Sequence, residues 1–583
     1  MLDYIRIACA VPAVRVGEVT QNIADICRYI GEADARNCDL VIFPELALTG
    51  YTCQDLFFQQ ALLDAVKGGL DRIAECSRAH PALIVAVGLP AVIAGQMYNC
   101  AAVFYGGTLR GLVPKTFIPN YNEFYEARWF SSAESLSCDS VDSAELGIRE
   151  HYPVPVGADL IFRLGDGAML GLEICEDLWT PIPPSAVLAV SGAEIIANLS
   201  ASNETVTKRT YRRELVKQQS ASCACVYAFC SAGSTESTQE LVFSGHSIVA
   251  GNGTVLKENG EPVATDYILV QDADLGMLRA DRRKNKCFHR AGTLYGKPVR
   301  RVDCGQTALR SDGALFPLQK LPFVPQTQVE CYQRCMEIYR LQVAGLKHRL
   351  AVTGANPVVN VSGDLDSLLA LLVTAEAMRQ LGRPMTDISS VICDRTDEMA
   401  LKLLRALGVS VSEQAESGIV VSAGDLTELA LGYCPQTGDK MPVYDVNASV
   451  PKTMICRMVQ TLSTDPAFAA AKAALESILN TQEASFGQED ALNDFFLYYM
   501  VRFAFAPTKI YTLTRRAFGE ALDGEIVKKR LKALYQGFFA GQFQRSRMPD
   551  GIKVGSVALS PRGDWRMPGD ASAETWLEEV DRL

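Results

Sequence analysis

Residues 356–382, NPVVNVSGDLDSLLALLVTAEAMRQLG, read as a buried strand (VVNV), a tight turn (SGDLDS) and a helix of apolar periodicity starting near Leu365. Small residues between a strand and a helix let backbone N–H groups and the positive helix end close on an anion, the order of a phosphate cradle on a parallel α/β sheet. Asp364 argues against a phosphate, because its carboxylate falls where phosphate oxygens would lie. At 4 Å and an effective dielectric near 20, two such charges repel by roughly 4 kcal/mol, close to a thousandfold in affinity. The same acid in the first helical turn favours the helix dipole by about 0.3–1 kcal/mol. Asp364 therefore suits an empty loop better than an occupied one.

Around this loop lies a chain of 583 residues, 48% hydrophobic and 21% charged, long enough for two to four domains with substantial cores. A net charge of −11 argues against nucleic acid or an anionic membrane as the main partner and favours small-molecule chemistry. The N-terminal MLDYIRIACAVPAVRVG reads as a core strand rather than a secretory signal, and no apolar run is long enough to span a bilayer, so a cytoplasmic protein is expected. The 18 cysteines are scattered, with no paired C-x-x-C and no histidine spacing that suggests zinc. They read as small buried hydrophobes in a reducing compartment.

Residues 1–285 alternate strands (YIRIACA, CDLVIFPE, ALIVAVGLP, CAAVFYGG, AMLGLEIC, AEIIANLS, CVYAFC) with helical stretches such as VTQNIADICRYIGEADARN, which predicts α/β structure with stacked sheets. Residues 286–325 follow a basic cluster, RADRRKNK, and carry Gly and Pro punctuation, so they are assigned as a linker. Residues 326–583 begin with a long helix and form a second, helix-rich domain.

In the first half, three reactive residues end strands: Glu45 after LVIFP, Lys115 in GLVPKTFIPNYNEFYE and Cys175 at the end of AMLGLEIC. A cysteine at a strand-to-helix turn is held rigidly, near N–H groups that favour thiolate. In the simplest scheme Glu45 takes the thiol proton, Cys175 attacks an amide carbonyl, and Lys115 stabilises the oxyanion.

The segments FPELALTGY, PKTFIPNYNEFYE and EICEDLW resemble the nitrilase superfamily, whose triad is Glu, Lys and Cys. With EDLWTPIPPS, NLSASNETVTKRTYRR and the tail LSPRGDWRMPGDASAETWL, the whole chain resembles the glutamine-dependent NAD synthetase family. That resemblance implies an N-terminal αββα nitrilase sandwich and a C-terminal Rossmann-like ATP-pyrophosphatase domain. It assigns glutamine contacts to Tyr51, Tyr121, Ser202 and Lys208, with Glu123 supporting Lys115. It also implies a second reaction, in which ATP and Mg2+ activate the carboxylate of nicotinic acid adenine dinucleotide and channelled ammonia displaces AMP. A homo-oligomer paired through the nitrilase half is expected.

The second half keeps part of the family pattern. Ser362, Gly363, Asp366, Ser367, Glu428, Asp439 and Lys452 match, and Asp366 and Glu428 are the carboxylates that Mg2+ would use if it is retained. Three features depart. Asp364 replaces the second glycine of S-G-G-x-D-S, Ala423 replaces a threonine, and no Pro-Gly-Phe loop follows ISSVI. In addition VSVSE and GIVVS are separated only by Gln414–Ser417, too short for a crossover between neighbouring parallel strands. These predict shortened or missing elements and a degenerate nucleotide site. The leading expectation is a glutamine amidase with weak or lost NAD synthesis. A complete NAD synthetase and a scaffold that regulates an active one are the alternatives.

Overall fold

Along Tyr4–Val11 the side chains alternate between two cores, with Ile5, Ile7, Cys9 and Val11 on one face and Ala8 and Ala10 on the other. Period-two alternation with both faces apolar is what a strand inside a layered domain requires. The computed structural model describes residues 2–305, 308–392, 398–412, 418–433, 442–482, 487–519 and 522–583. It divides into two compact units, Met1–Pro317 and Leu318–Leu583.

The first unit has two large sheets. One runs in the order Tyr267–Asp274, Tyr4–Val11, Leu40–Ile42, Ile84–Ile93, Gln96–Tyr105, Thr108–Pro114. The other runs Thr254–Glu258, Ser247–Gly251, Val226–Ser231, Ile195–Ser200, Met169–Ile174, Leu160–Arg163, Arg300–Asp303. Leu170, Leu172, Ile174, Ala197 and Leu199 of the second sheet share one core with Ile5, Ile7 and Ile42 of the first. The opposite faces carry helices: Val19–Ala35 and Gln60–Ala79 on the first sheet, Pro184–Val190 and Lys208–Ser222 on the second. The layers are thus αββα, as the sequence resemblance implies.

The stretch assigned as a linker, 286–325, carries a helix, Lys286–Tyr295, and the strand Arg300–Asp303, which pairs in parallel with Leu160–Arg163. Its charge disguises it. Arg300 faces Asp159 at 2.7 Å on a half-exposed sheet edge, where a basic residue needs no core.

The second unit holds a six-stranded parallel sheet in the order Ser410–Ser412, Ser389–Ile392, Pro357–Val361, Ile419–Ser422, Tyr444–Asp445, Asp550–Gly551. VSVSE and GIVVS are parallel but not neighbours, because two strands lie between them. Residues 413–417 themselves lie outside the described residues. The helix Leu365–Gln380 is buried continuously from Leu365 to Met378. It is buried all round rather than on one stripe, as suits a helix enclosed by neighbours, with Asp366, Ser367, Thr374 and Glu376 its buried polar side chains. Among the described residues no helix is long and apolar enough to cross a membrane, and the described cysteines are all free thiols.

Candidate active site

Each of the three reactive residues sits just past a strand of the αββα unit. Glu45 follows Leu40–Ile42 through Phe43 and Pro44, and its N–H donates to Ser200 O at 3.3 Å. The turn fits against Gly88 so closely that a Cβ there would lie 2.3 Å from Leu46 N and 2.5 Å from Pro44 O. Lys115 follows Thr108–Pro114, with its N–H donating to Asn99 O at 2.8 Å. Cys175 follows Met169–Ile174 with φ at +44°, a left-handed conformation that a non-glycine residue adopts at a cost of about 1–3 kcal/mol. Such a turn projects a nucleophile from the end of a rigid strand.

The structure brings these side chains together. Lys115 Nζ donates to Glu45 Oε1 at 2.7 Å and to both oxygens of Glu126, at 2.8 and 2.9 Å. Asn99 Nδ2 donates to Glu45 Oε1 at 2.6 Å. Glu45 Oε2 is buried without a hydrogen-bond partner among the described residues. Glu45, Lys115 and Glu126 all act electrostatically on the thiolate form of Cys175. Burial, and then negative Glu45, push the Cys175 thiol well above its ordinary range against the pull of Lys115. Burial works to lower the Lys115 pKa, but Glu126 and Glu45 outweigh it and hold the ammonium charged. The resting state is a neutral thiol beside a fixed cation, and it needs a base to become a nucleophile.

The support expected from Glu123 comes instead from Glu126. Glu123 Oε1 accepts from Asn203 Nδ2 at 2.9 Å, whereas the almost wholly buried Glu126 holds Lys115 and accepts from Tyr51 OH at 2.8 Å. Tyr121 is half exposed, and its hydroxyl donates to Glu176 Oε1 at 2.8 Å. Ser202 is buried, with Oγ accepting from Arg212 Nη2 at 3.2 Å. Lys208 opens the helix Lys208–Ser222; its Nζ donates to Asn203 Oδ1 and lies 5.6 Å from the Trp179 ring and 5.7 Å from that of Phe124. Burial lowers its pKa, while the charge of Cys175 acts to raise it, which places Lys208 in the same electrostatic site.

In the second unit, Asp364 is the N-cap of Leu365–Gln380. Its Oδ1 accepts from Ser367 N at 2.8 Å and its Oδ2 from Ser362 Oγ at 2.7 Å. Ser362 N donates to Ser367 Oγ at 3.2 Å, and Gly363 takes φ of +83° to make the turn. Lys452 Nζ pairs with Asp366 Oδ2 and lies 3.5 Å from Asp425. Glu428 forms a capping box with Asp425 at the start of Leu426–Leu431. The Ala423 carbonyl accepts from Asn447 Nδ2 at 3.1 Å. Asp439 lies outside the described residues.

Residues 6–283 match the carbon-nitrogen hydrolase family model. The chain is 32% identical to the glutamine-dependent NAD(+) synthetase of Mycobacterium leprae over 674 aligned positions, covering 99% of this chain and 98% of that protein. The chain belongs to the glutamine-dependent NAD(+) synthetase family. The Mycobacterium tuberculosis protein of the same name is 33% identical, again over 99% and 98% of the two chains. A solved glutamine-dependent NAD(+) synthetase from Cytophaga hutchinsonii overlaps 99% of this chain and 100% of its own with a TM-score of 0.40 at 17% identity. Against the 674 positions of the M. leprae alignment, 99% of this 583-residue chain is about 577 residues, so about 97 aligned positions have no counterpart here.

The loop does not fit the phosphates of the ATP that this family resemblance implies. Ser367 N and Ser362 Oγ, donors that would face an anion, are already spent on Asp364. Of the two expected Mg2+ carboxylates, Asp366 pairs its Oδ2 with Lys452 and leaves Oδ1 buried without a hydrogen-bond partner among the described residues, and Glu428 accepts from Asp425 N in its cap. Among the described residues no group of three or more His, Cys, Asp or Glu is arranged to hold a metal ion. Sequence reasoning missed Glu126 and Asn99. Asn99 was signalled by a lone polar residue in the apolar run YNCAAVFY, and Glu126 only by being the second acid of NEFYE.

Proposed function

We propose that this chain hydrolyses the side-chain amide of glutamine to glutamate and ammonia. The observation that carries the reading is the buried Glu45–Lys115–Glu126 bridge beside Cys175, with one Glu45 oxygen unpartnered. As Cys175 Sγ attacks the amide carbon, Glu45 takes the thiol proton, and the new oxyanion is stabilised by the Lys115 ammonium. Collapse breaks the C–N bond, and Glu45 returns the proton to departing ammonia. A water then attacks the thioester with Glu45 as base, and glutamate leaves as the thiol is restored. Glu126 keeps Lys115 charged throughout. Lys208 meets the substrate α-carboxylate as a point charge, among Tyr51, Tyr121, Glu123 and Ser202.

ATP-dependent NAD synthesis is weak or lost in this reading. The self-filled Asp364 loop supports it. The full-length match to proteins named glutamine-dependent NAD(+) synthetases favours the second reading, a complete enzyme. The family resemblance is also the support for a homo-oligomer paired through residues 1–285, which light scattering on the purified chain tests. Measuring ammonia release from glutamine, and separately ATP-dependent NAD formation, decides between the readings. Ammonia without NAD supports the first; NAD formation establishes the second; absence of both overturns the amidase.

A further inference from the structure

Two residues past the nucleophile, a carboxylate ties two strand ends together. Asp177 is 1% exposed. Its Oδ2 accepts from Ile174 N at 2.9 Å, the amide immediately before Cys175. Its Oδ1 accepts from Thr116 N at 3.2 Å and Phe117 N at 2.8 Å, the two amides immediately after Lys115. One oxygen therefore grips the cysteine turn and the other grips the lysine loop. The two segments come from different sheets, the first ending Met169–Ile174 and the second ending Thr108–Pro114, so no ladder hydrogen bond joins them. On its other side Lys115 is fixed by its own N–H to Asn99 O, and across the gap Asp177 is the link that grips backbone amides on both sides, with the half-exposed Tyr121–Glu176 bond further along the loop.

We propose that Asp177 is a positioning residue that sets the separation between the Cys175 sulfur and the Lys115 ammonium, and so the fit of the oxyanion to its stabilising charge. A carboxylate is suited to this work because both of its oxygens accept. An amide offers one acceptor and turns its NH2 toward backbone donors on the other side, so one tether is lost. Displacements near 1 Å and the loss of one oxyanion donor each cost about 10²-fold or more in rate. The fall belongs in kcat, because substrate binding through Lys208 and its neighbours is left in place.

The role rests on the proposed amide hydrolysis, and the test separates the two. The full-length chain and Asp177→Asn are compared for kcat and KM on glutamine, and for the rate at which iodoacetamide alkylates Cys175, followed by peptide mass against a Cys175→Ala control. Alkylation needs the sulfur and its base but forms no oxyanion, so it reports on the Glu45–Cys175 pair alone. The expected result is a kcat lower by at least roughly 30-fold, KM within threefold and alkylation within threefold of the unsubstituted chain. If Asp177→Asn does not fold, Asp177→Glu, which keeps both acceptors but displaces them by one methylene, carries the same expectation. A kcat within threefold of the unsubstituted chain overturns the role, and so does a parallel loss of kcat and alkylation, which marks general disorder of the turn. An unsubstituted chain that alkylates at Cys175 but releases no ammonia overturns the proposed reaction instead.

Discussion

Lys115 Nζ stands 2.7 Å from Glu45 Oε1, and neither side chain is exposed to solvent. An ammonium enclosed in this way compensates two carboxylates at once, because Glu126 lies at 2.8 Å on its other side. Removing one member of a buried ion cluster strands the remaining charges, at a cost of about 3–5 kcal/mol.

Lys115→Met is therefore expected to destabilise the chain by about 3–5 kcal/mol, beyond abolishing amide hydrolysis. Adding Glu126→Gln to it should recover part of that loss, since one stranded charge is removed. Urea unfolding of the two single variants and the double variant measures the coupling. Strict additivity would count against the buried bridge.

Cys175→Ala should lower ammonia release by at least roughly 10³-fold while leaving the melting temperature close to that of the unsubstituted chain. Because burial and Glu45 hold the Cys175 sulfur as a thiol, Glu45→Gln should also fail to hydrolyse glutamine despite its intact nucleophile. Steady-state ammonia assays with calorimetric melting check both. A Cys175→Ala protein that retains most of its rate would remove the nucleophile assignment.

The placing of Cys175, Lys115 and Glu45 just past strand ends could be read in the sequence because each follows a recognisable apolar strand. The αββα layers could be read for the same reason: strands such as YIRIACA are apolar on both faces. What could not be read was which side chain of an irregular loop turns inward. Glu123 and Glu126 are three residues apart in one segment, and only the path of the chain through residues 119–126 puts the second on Lys115. Strand order was hidden similarly. Segment lengths made VSVSE and GIVVS look adjacent, but adjacency is decided by pairing partners distant in sequence. Asp364 could be read as an acid favouring the helix start; its second bond, from Ser362 Oγ, needed the folded turn.

Gly88→Ala tests how rigidly Glu45 is carried. The new Cβ would meet backbone atoms of Pro44, Glu45 and Leu46 at 2.3–2.8 Å, and backbone cannot swing aside as a side chain can. A kcat drop of about 10²-fold is expected from the shifted base. Gly68→Ala, on the helix Gln60–Ala79 with open space around it, serves as the control and should gain up to about 1 kcal/mol in stability. Equal effects of the two substitutions would contradict the close approach.

The second unit should lose stability as pH rises from 5 to 8. Burial, first among the causes, raises Asp366 to about 8 and Glu428, Asp445 and Asp494 to about 7, with Lys452 opposing it at Asp366 and Glu428 and neighbouring Asp425 adding to it at all four. Unfolded carboxyls release their protons near pH 4. The folded state thus binds more protons between these limits, and its stability, full below the unfolded pKa, is lost as pH passes 7–8. Asp445→Asn, neutral at every pH, should raise the melting temperature at pH 8 more than at pH 5. Scanning calorimetry across that range reads the slope, and an opposite slope would refute the protonation argument.

Replacing Asp364 should cost stability without creating a nucleotide site. As N-cap of Leu365–Gln380 it accepts from Ser367 N, so Asp364→Ala is expected to lose about 0.5–2 kcal/mol and Asp364→Gly only a few tenths. If repulsion were the sole obstacle to phosphate, Asp364→Gly would recover roughly 4 kcal/mol of affinity. A further obstacle remains after the substitution, because Lys452 still pairs with Asp366 Oδ2. Calorimetric titration with ATP and Mg2+ should therefore show no micromolar binding to the unsubstituted chain or to Asp364→Gly. Micromolar binding by the unsubstituted chain would mean that the Asp364 loop opens at little cost, and the complete-synthetase reading would take its place. Micromolar binding by Asp364→Gly alone would single out this carboxylate as the plug.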